Sequence, residues 1–100
     1  MSISTHVLDT ARGVPAAGVP IRLEKDGTVL GAGRTDTDGR IRWDGPTDRG
    51  RYHLVFDILA YHGPDAFYPE VAITFTVVDE RHHHVPLLLS PFGYSTYRGS

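Results

Sequence analysis

One hundred residues carry 10 Lys plus Arg against 12 Asp plus Glu, a net charge of -2, with 40% apolar residues, 22% charged residues and no cysteine. The length fits one domain over residues 1–100, the balance is that of a folded chain, and the charge lacks the basic footprint that binding a phosphate backbone demands. Disulfides, thiolate catalysis and cysteine-based zinc sites are excluded; with no leader pattern and no run of the roughly 20 apolar residues that span a membrane, a soluble, cytoplasmic chain without nucleic-acid or membrane partners is expected.

In chain order, Ser2 to Asp9 reads as a strand with Ile3 and Val7 toward a core and Ser4, His6 and Leu8 on the opposite face. Val19, Ile21 and Leu23 alternate against Pro20, Arg22 and Glu24, the mark of a second half-buried strand. Lys25-Asp26-Gly27-Thr28 then supplies the Asp-Gly pair of a tight hairpin, and a strand over Val29 to Arg34 follows. Thr37-Asp38-Gly39-Arg40 repeats the signal, so antiparallel neighbours are expected across both turns. Beyond it Ile41 and Trp43 turn inward and Arg40 and Arg42 outward.

Arg51 to Phe56 is the next strand, and Asp57 to His62 predicts a helix of a turn or two that Gly63-Pro64 ends. A surface connection from Gly63 to Pro69 leads to a strand with Val71, Ile73, Phe75 and Val77 set against Ala72, Thr74 and Thr76. His82 to Leu88 follows, with Val85, Leu87 and Leu89 inward and His82, His84, Pro86 and Leu88 outward, and Tyr94 to Tyr97 closes the set. About eight short strands and one short helix predict an all-β antiparallel sandwich. Leu8 and Leu88 on non-core faces point to a subunit interface.

Six histidines, three of them consecutive at His82, His83 and His84, are the one excess that bears on chemistry near neutral pH. Outward faces of three strands present His6, Arg40 and His84, although Arg42 and His82 share those faces and any single histidine reads more readily as a simple surface residue. His82 and His84 on one face have the spacing of a metal pair, but two ligands with only Glu80 nearby make an incomplete set. Ser2, Ser4, Ser90, Ser95 and Ser100 sit in no strained elbow, so a covalent serine mechanism lacks support. Two imidazoles and a guanidinium suit metal-free hydrolysis, with water deprotonated by one ring and an oxygen-rich substrate held by the arginine. His83, on the core side, needs a hydrogen-bond partner and reads as structural with His82; His53 and His62 have no motif around them.

Four segments, Ser4-Thr5-His6-Val7-Leu8-Asp9, Thr35-Asp36-Thr37-Asp38-Gly39-Arg40, His84-Val85-Pro86-Leu87-Leu88-Leu89-Ser90 and Gly93-Tyr94-Ser95-Thr96-Tyr97-Arg98-Gly99-Ser100, resemble the 5-hydroxyisourate hydrolases, or transthyretin-related proteins. The resemblance spans the chain, and the closing Tyr-Arg-Gly-Ser, which transthyretin carriers lack, favours the enzyme over a small-ligand carrier without turnover. It implies a prealbumin-like sandwich assembled as a homotetramer, a dimer of dimers with active sites in the channel between dimers. It also implies cofactor-free and metal-free opening of the 5-hydroxyisourate ring to 2-oxo-4-hydroxy-4-carboxy-5-ureidoimidazoline in urate breakdown. The family's catalytic residues fall on His6, Arg40 and His84. Its closing serine falls on Ser100, expected to shut the pocket, and Tyr97 and Arg98 are further substrate-binding candidates. A His-rich metal-binding module is the other class left open.

Overall fold

The computed structural model describes residues 1–45 and 48–100. The elements among them are, in chain order, β1 (Ser2–Asp9), β2 (Val14–Pro15), β3 (Pro20–Lys25), β4 (Thr28–Arg34), β5 (Arg40–Asp44), β6 (Gly50–Asp57), α1 (Ile58–His62), β7 (Glu70–Val77), β8 (His83–His84), β9 (Leu87–Ser90) and β10 (Gly93–Thr96). Two sheets face each other. One runs β4-β3-β6-β7, antiparallel throughout; the other is organised on β1, with β5 and then β2 along one edge, β8 and then β9 along the other, and β10 beyond β9. The all-β expectation is met, with two of the strands only two residues long.

Alternation decides what fills the gap between the sheets. Ile21, Leu23, Leu54, Phe56, Val71, Ile73 and Val77 from one sheet meet Ile3, Val7, Val85, Leu87 and Leu89 from the other in a single buried cluster. Each such side chain contributes roughly 1.5–3 kcal/mol on leaving water, so the parity of every strand, and with it the face that polar residues occupy, is strongly held. Asp57 caps α1 by accepting the Ala60 N–H at 3.1 Å, and the Gly63 N–H closes its end on Leu59 O. Tyr61 ties this helix to β1, donating to the buried Asp9 carboxylate at 2.7 Å.

Three expectations need correction. The strands on either side of Asp38-Gly39 are not ladder partners: β4 belongs to one sheet and β5 pairs β1 in the other. They stack across the sandwich instead, with Trp43 lying where a Cβ at Gly31 would sit and Ile41 where one at Gly33 would sit. The strand expected over His82 to Leu88 is interrupted, and it runs parallel to β1. Its register is nonetheless constant, from Ile3↔His83 to Asp9↔Leu89. Pro86 has no N–H for the ladder; around it Val85 N–H donates to Ser4 O at 2.9 Å, the Thr5 hydroxyl to Val85 O at 2.6 Å and the Thr96 hydroxyl to Pro86 O at 2.7 Å. The last strand ends at Thr96, so Tyr97 lies outside it, and the chain goes on to bridge His84 through Gly99.

Candidate active site

Residues 35–40 deliver an arginine to the edge of β1. Thr35 is buried, donating its hydroxyl to Ala16 O at 2.7 Å and accepting the Val19 N–H at 2.9 Å. The chain leaving β4 is thereby tied down before it crosses to the other sheet. Asp36 closes the turn: its Oδ1 accepts the N–H groups of Asp38 (2.9 Å) and Arg40 (3.0 Å), and its own N–H donates to Arg40 O. Gly39 has φ of 75°, and a Cβ there would stand 2.4 Å from Val7 O. Only glycine lets the turn press against β1 in this way, where Val7 N–H donates to Gly39 O at 2.7 Å. Arg40 emerges directly opposite His6.

Along the other edge of β1, β8 sets His84 opposite Ser4. Ser4 Oγ lies 2.7 Å from His84 Nδ1 and 2.7 Å from His82 Nε2. His82 Nδ1 contacts Ser2 Oγ, which also accepts from Arg42 Nη2 at 3.3 Å, and the His82 and His84 rings stand 6.4 Å apart. The backbone of Gly99 abuts the His84 imidazole, its N–H donating to His84 O at 2.8 Å; a Cβ there would come within 2.4 Å of Cδ2. That contact is the physical reason for glycine within the closing Tyr-Arg-Gly-Ser.

Burial pushes the His84 pKa below that of an ordinary imidazole, and the neighbouring His82, His6 and Arg40 push the same way. Burial lowers His82 too, reinforced by Arg42 and His83 and opposed by Asp44. Both rings are therefore neutral near pH 7, able to donate at one nitrogen and accept at the other. The two outward arginines differ: Arg42 is paired with Asp44 at 3.1 Å, whereas Arg40 pairs with no carboxylate among the described residues. An unpaired, permanently charged fork is what an oxygen-rich substrate needs.

A cleft of about 350 Å³ is lined by Ser4, Asp36, Arg40, Arg42, His82, His84 and Ser100 among others. His6 lies beside it, in a shallow depression that it shares with Pro15, Asp38 and Arg40, so Arg40 borders both. Tyr97 and Arg98 are not brought to this cleft. They line another, of about 320 Å³, with Thr74, Phe75, Thr76 and His84, which borders both clefts. Among the described residues no three His, Asp or Glu side chains converge as a metal site. His83 has the partner it needs, Arg81 O at 2.7 Å from Nδ1, with Asp79 3.9 Å from Nε2.

Sequence reasoning missed Ser4, Asp36 and the contact of His82 with the site. Ser4 shares its parity with His6, and the Asp36 bonds to the N–H groups of Asp38 and Arg40 are local to the turn, so both were open to notice; the contacts of His82 with Ser2 and Ser4 arise only once β8 lies in register against β1.

A family model described as the HIUase/Transthyretin family matches residues 3–99. The chain belongs to that family. A 5-hydroxyisourate hydrolase of Salmonella typhimurium is 44% identical over 109 residues, covering 98% of this chain and 80% of the relative. The solved structure of a Klebsiella pneumoniae 5-hydroxyisourate hydrolase superposes with a TM-score of 0.89 at 38% identity, covering 99% of this HIUase/transthyretin chain and 98% of the other. Sea bream transthyretin in complex with thyroxine superposes with a TM-score of 0.85 at 31% identity, covering 97% and 93%. Enzyme and carrier thus share the fold of this family, and function has to be argued from the site.

Proposed function

We propose that the protein, a single sandwich unit over residues 1–100, hydrolyses 5-hydroxyisourate, opening its six-membered ring to 2-oxo-4-hydroxy-4-carboxy-5-ureidoimidazoline in urate degradation. One observation carries the reading: a single strand, β1, places His6 opposite Arg40 on one edge and Ser4 opposite His84 on the other. Two imidazoles and an unpaired guanidinium then stand together beside a polar cleft that Ser100 also borders. The names of the similar proteins, from bacteria to mouse, support the same substrate.

In this reading a neutral imidazole takes a proton from water as its oxygen attacks the ring carbonyl. Arg40 stabilises the charge that gathers on the carbonyl oxygen, the ring C–N bond breaks, and the departing nitrogen receives a proton. His6, Arg40 and His84 are the catalytic residues and Ser100 contacts substrate. Tyr97 and Arg98, in the adjoining cleft, bind substrate only where a neighbouring subunit brings the two clefts together. No step calls for a metal or other cofactor. A homotetramer acting in the cytoplasm completes the proposal: Leu8 and Leu88 are register partners on the outer face of the β1 sheet, an apolar pair that a second subunit would cover.

The test is decay of the substrate's ultraviolet absorbance, with and without chelator. Accelerated decay that survives chelation and disappears in His84→Ala or Arg40→Ala supports the hydrolase. Binding without decay supports a carrier, and loss on chelation supports a metal module.

A further inference from the structure

We infer that Ser4 and His82 are positioning residues whose hydrogen bonds fix His84 in one tautomer, with the proton on Nε2. This deepens the hydrolase reading and rests on it. A continuous chain of contacts runs from Arg42 through Ser2, His82 and Ser4 to His84, and each link has one donor.

Arg42 can only donate, so Ser2 Oγ accepts from it. Ser2 is buried, and among the described residues the one other group within reach of its hydroxyl is His82 Nδ1; its proton therefore goes there. A neutral imidazole that accepts at Nδ1 carries its proton on Nε2, and burial together with the nearby Arg42 charge keeps His82 neutral, against the smaller pull of Asp44. His82 Nε2–H then donates to Ser4 Oγ, which leaves the single Ser4 proton for His84 Nδ1. His84 is neutral by the same logic, with His6, Arg40 and His82 around it, and its proton sits on Nε2. That nitrogen has no partner among the described residues and is not a buried orphan, so it is open to solvent.

His84 and His6 then take separate roles. His84, which lines the cleft together with Arg40, keeps a solvent-accessible N–H and serves as a neutral donor to the carbonyl oxygen. Water activation falls to His6: the water oxygen bonds the carbonyl carbon, its proton passes to His6, the ring C–N bond breaks, and His6 returns that proton to the nitrogen. Every proton is accounted for without the Ser4 relay being spent. His82, with no place in the chemistry on sequence grounds, acquires one through Ser4.

The test has two readouts on the intact protein. Nitrogen-15 NMR of labelled histidine near pH 7.5 should show His84 as a single Nε2–H tautomer, and Ser4→Ala or His82→Phe should convert it to a mixture. In the ultraviolet assay Ser4→Ala should lower kcat by about tenfold or more with a smaller change in KM, because a wrong histidine tautomer costs up to about 10⁴ in a serine-protease triad; Ser4→Thr, which keeps the hydroxyl, should restore most of it. A wild-type His84 protonated on Nδ1, or a tautomer unmoved by both substitutions, overturns the inference. Absence of turnover by the wild type would instead overturn the hydrolase reading, and the NMR result would still decide the tautomer.

Discussion

At Asp26-Gly27 the chain reverses between two neighbouring strands, β3 and β4, and both residues take positive φ, 52° and 77°. At Asp38-Gly39 the same dipeptide ends a turn whose flanking strands part company and enter different sheets. The first turn is exposed, and a Cβ on Gly27 would meet nothing within 4 Å; on Gly39 it would run into the backbone of β1. The difference lies in what surrounds the turn. Thr35 is anchored to Ala16 and Val19, and Asp36 holds the N–H of Arg40, so the second turn becomes a fixture that aims Arg40 at the edge of β1. A local signal specifies a reversal of direction, and the tertiary contacts decide whether that reversal makes a hairpin or positions a side chain.

If the second turn exists to deliver Arg40, the largest effect belongs to the residue delivered. Arg40→Lys should lower kcat/KM by roughly 10² to 10³, the cost of losing a fixed donor at a developing oxyanion, because a lysine cannot reproduce the fork. Thermal unfolding should hardly move, since surface changes usually stay within about 0.5 kcal/mol. Near-normal turnover in this variant would remove the reason for the turn's construction.

The turn itself comes next. Gly39→Ala adds the left-handed backbone penalty of about 1–2 kcal/mol to an overlap with Val7 O worth about 1–3 kcal/mol. Urea titration should show roughly 2–5 kcal/mol lost, and activity should fall with it. Gly27→Ala carries only the first part and should cost about 1–2 kcal/mol with turnover intact. Equal losses at the two glycines would mean that the second turn is held no more tightly than the first.

Gly99→Ala tests the opposite border of the site. The new methyl displaces the His84 ring, and kcat should drop by an order of magnitude or so, as misplacement of a catalytic group does, while stability changes by about 1–2 kcal/mol at most. Unchanged kinetics would mean that the ring position does not matter.

Acid supplies the mildest perturbation. The folded-state pKa values of His82 and His84 lie below the ordinary imidazole value of 6.5, so the unfolded chain takes up these protons first. Stability from the two rings is fully present above pH 6.5 and declines as pH falls through that value, until the folded-state pKa values are passed. Denaturant midpoints measured between pH 7.5 and 5.5 should show the decline, reduced in His82→Phe.

Much of the layout was legible in the sequence. Alternation alone turned Ile41 and Trp43 inward and left Ser4, His6, Arg40 and His84 outward, because period-two geometry and apolar burial are local rules. The segment from Asp57 to His62 announced a helix of a turn or two and Gly63-Pro64 its stop; the capping role of Asp57 emerged in the structure. The resemblance singled out His6, Arg40, His84 and Ser100, which alternation could not separate from Arg42 and His82.

The rest depended on distance along the chain. That β8 and β9 lie parallel to β1, with a constant offset across Pro86, brings residue 4 to residue 84, and no local pattern encodes a pairing over that separation. The pairing of β5 with β1 brings Arg42 to Ser2 while Asp44 on the same strand holds its guanidinium, and Arg40 is left with no carboxylate partner among the described residues. Around the His84–Gly99 bridge, Tyr97 and Arg98 part from Ser100 into different clefts. Strand parity, a local property of the chain, specifies which side chains face outward. Which of them touch follows from strand register, because hydrogen bonds act over about 3 Å, a scale invisible to alternation.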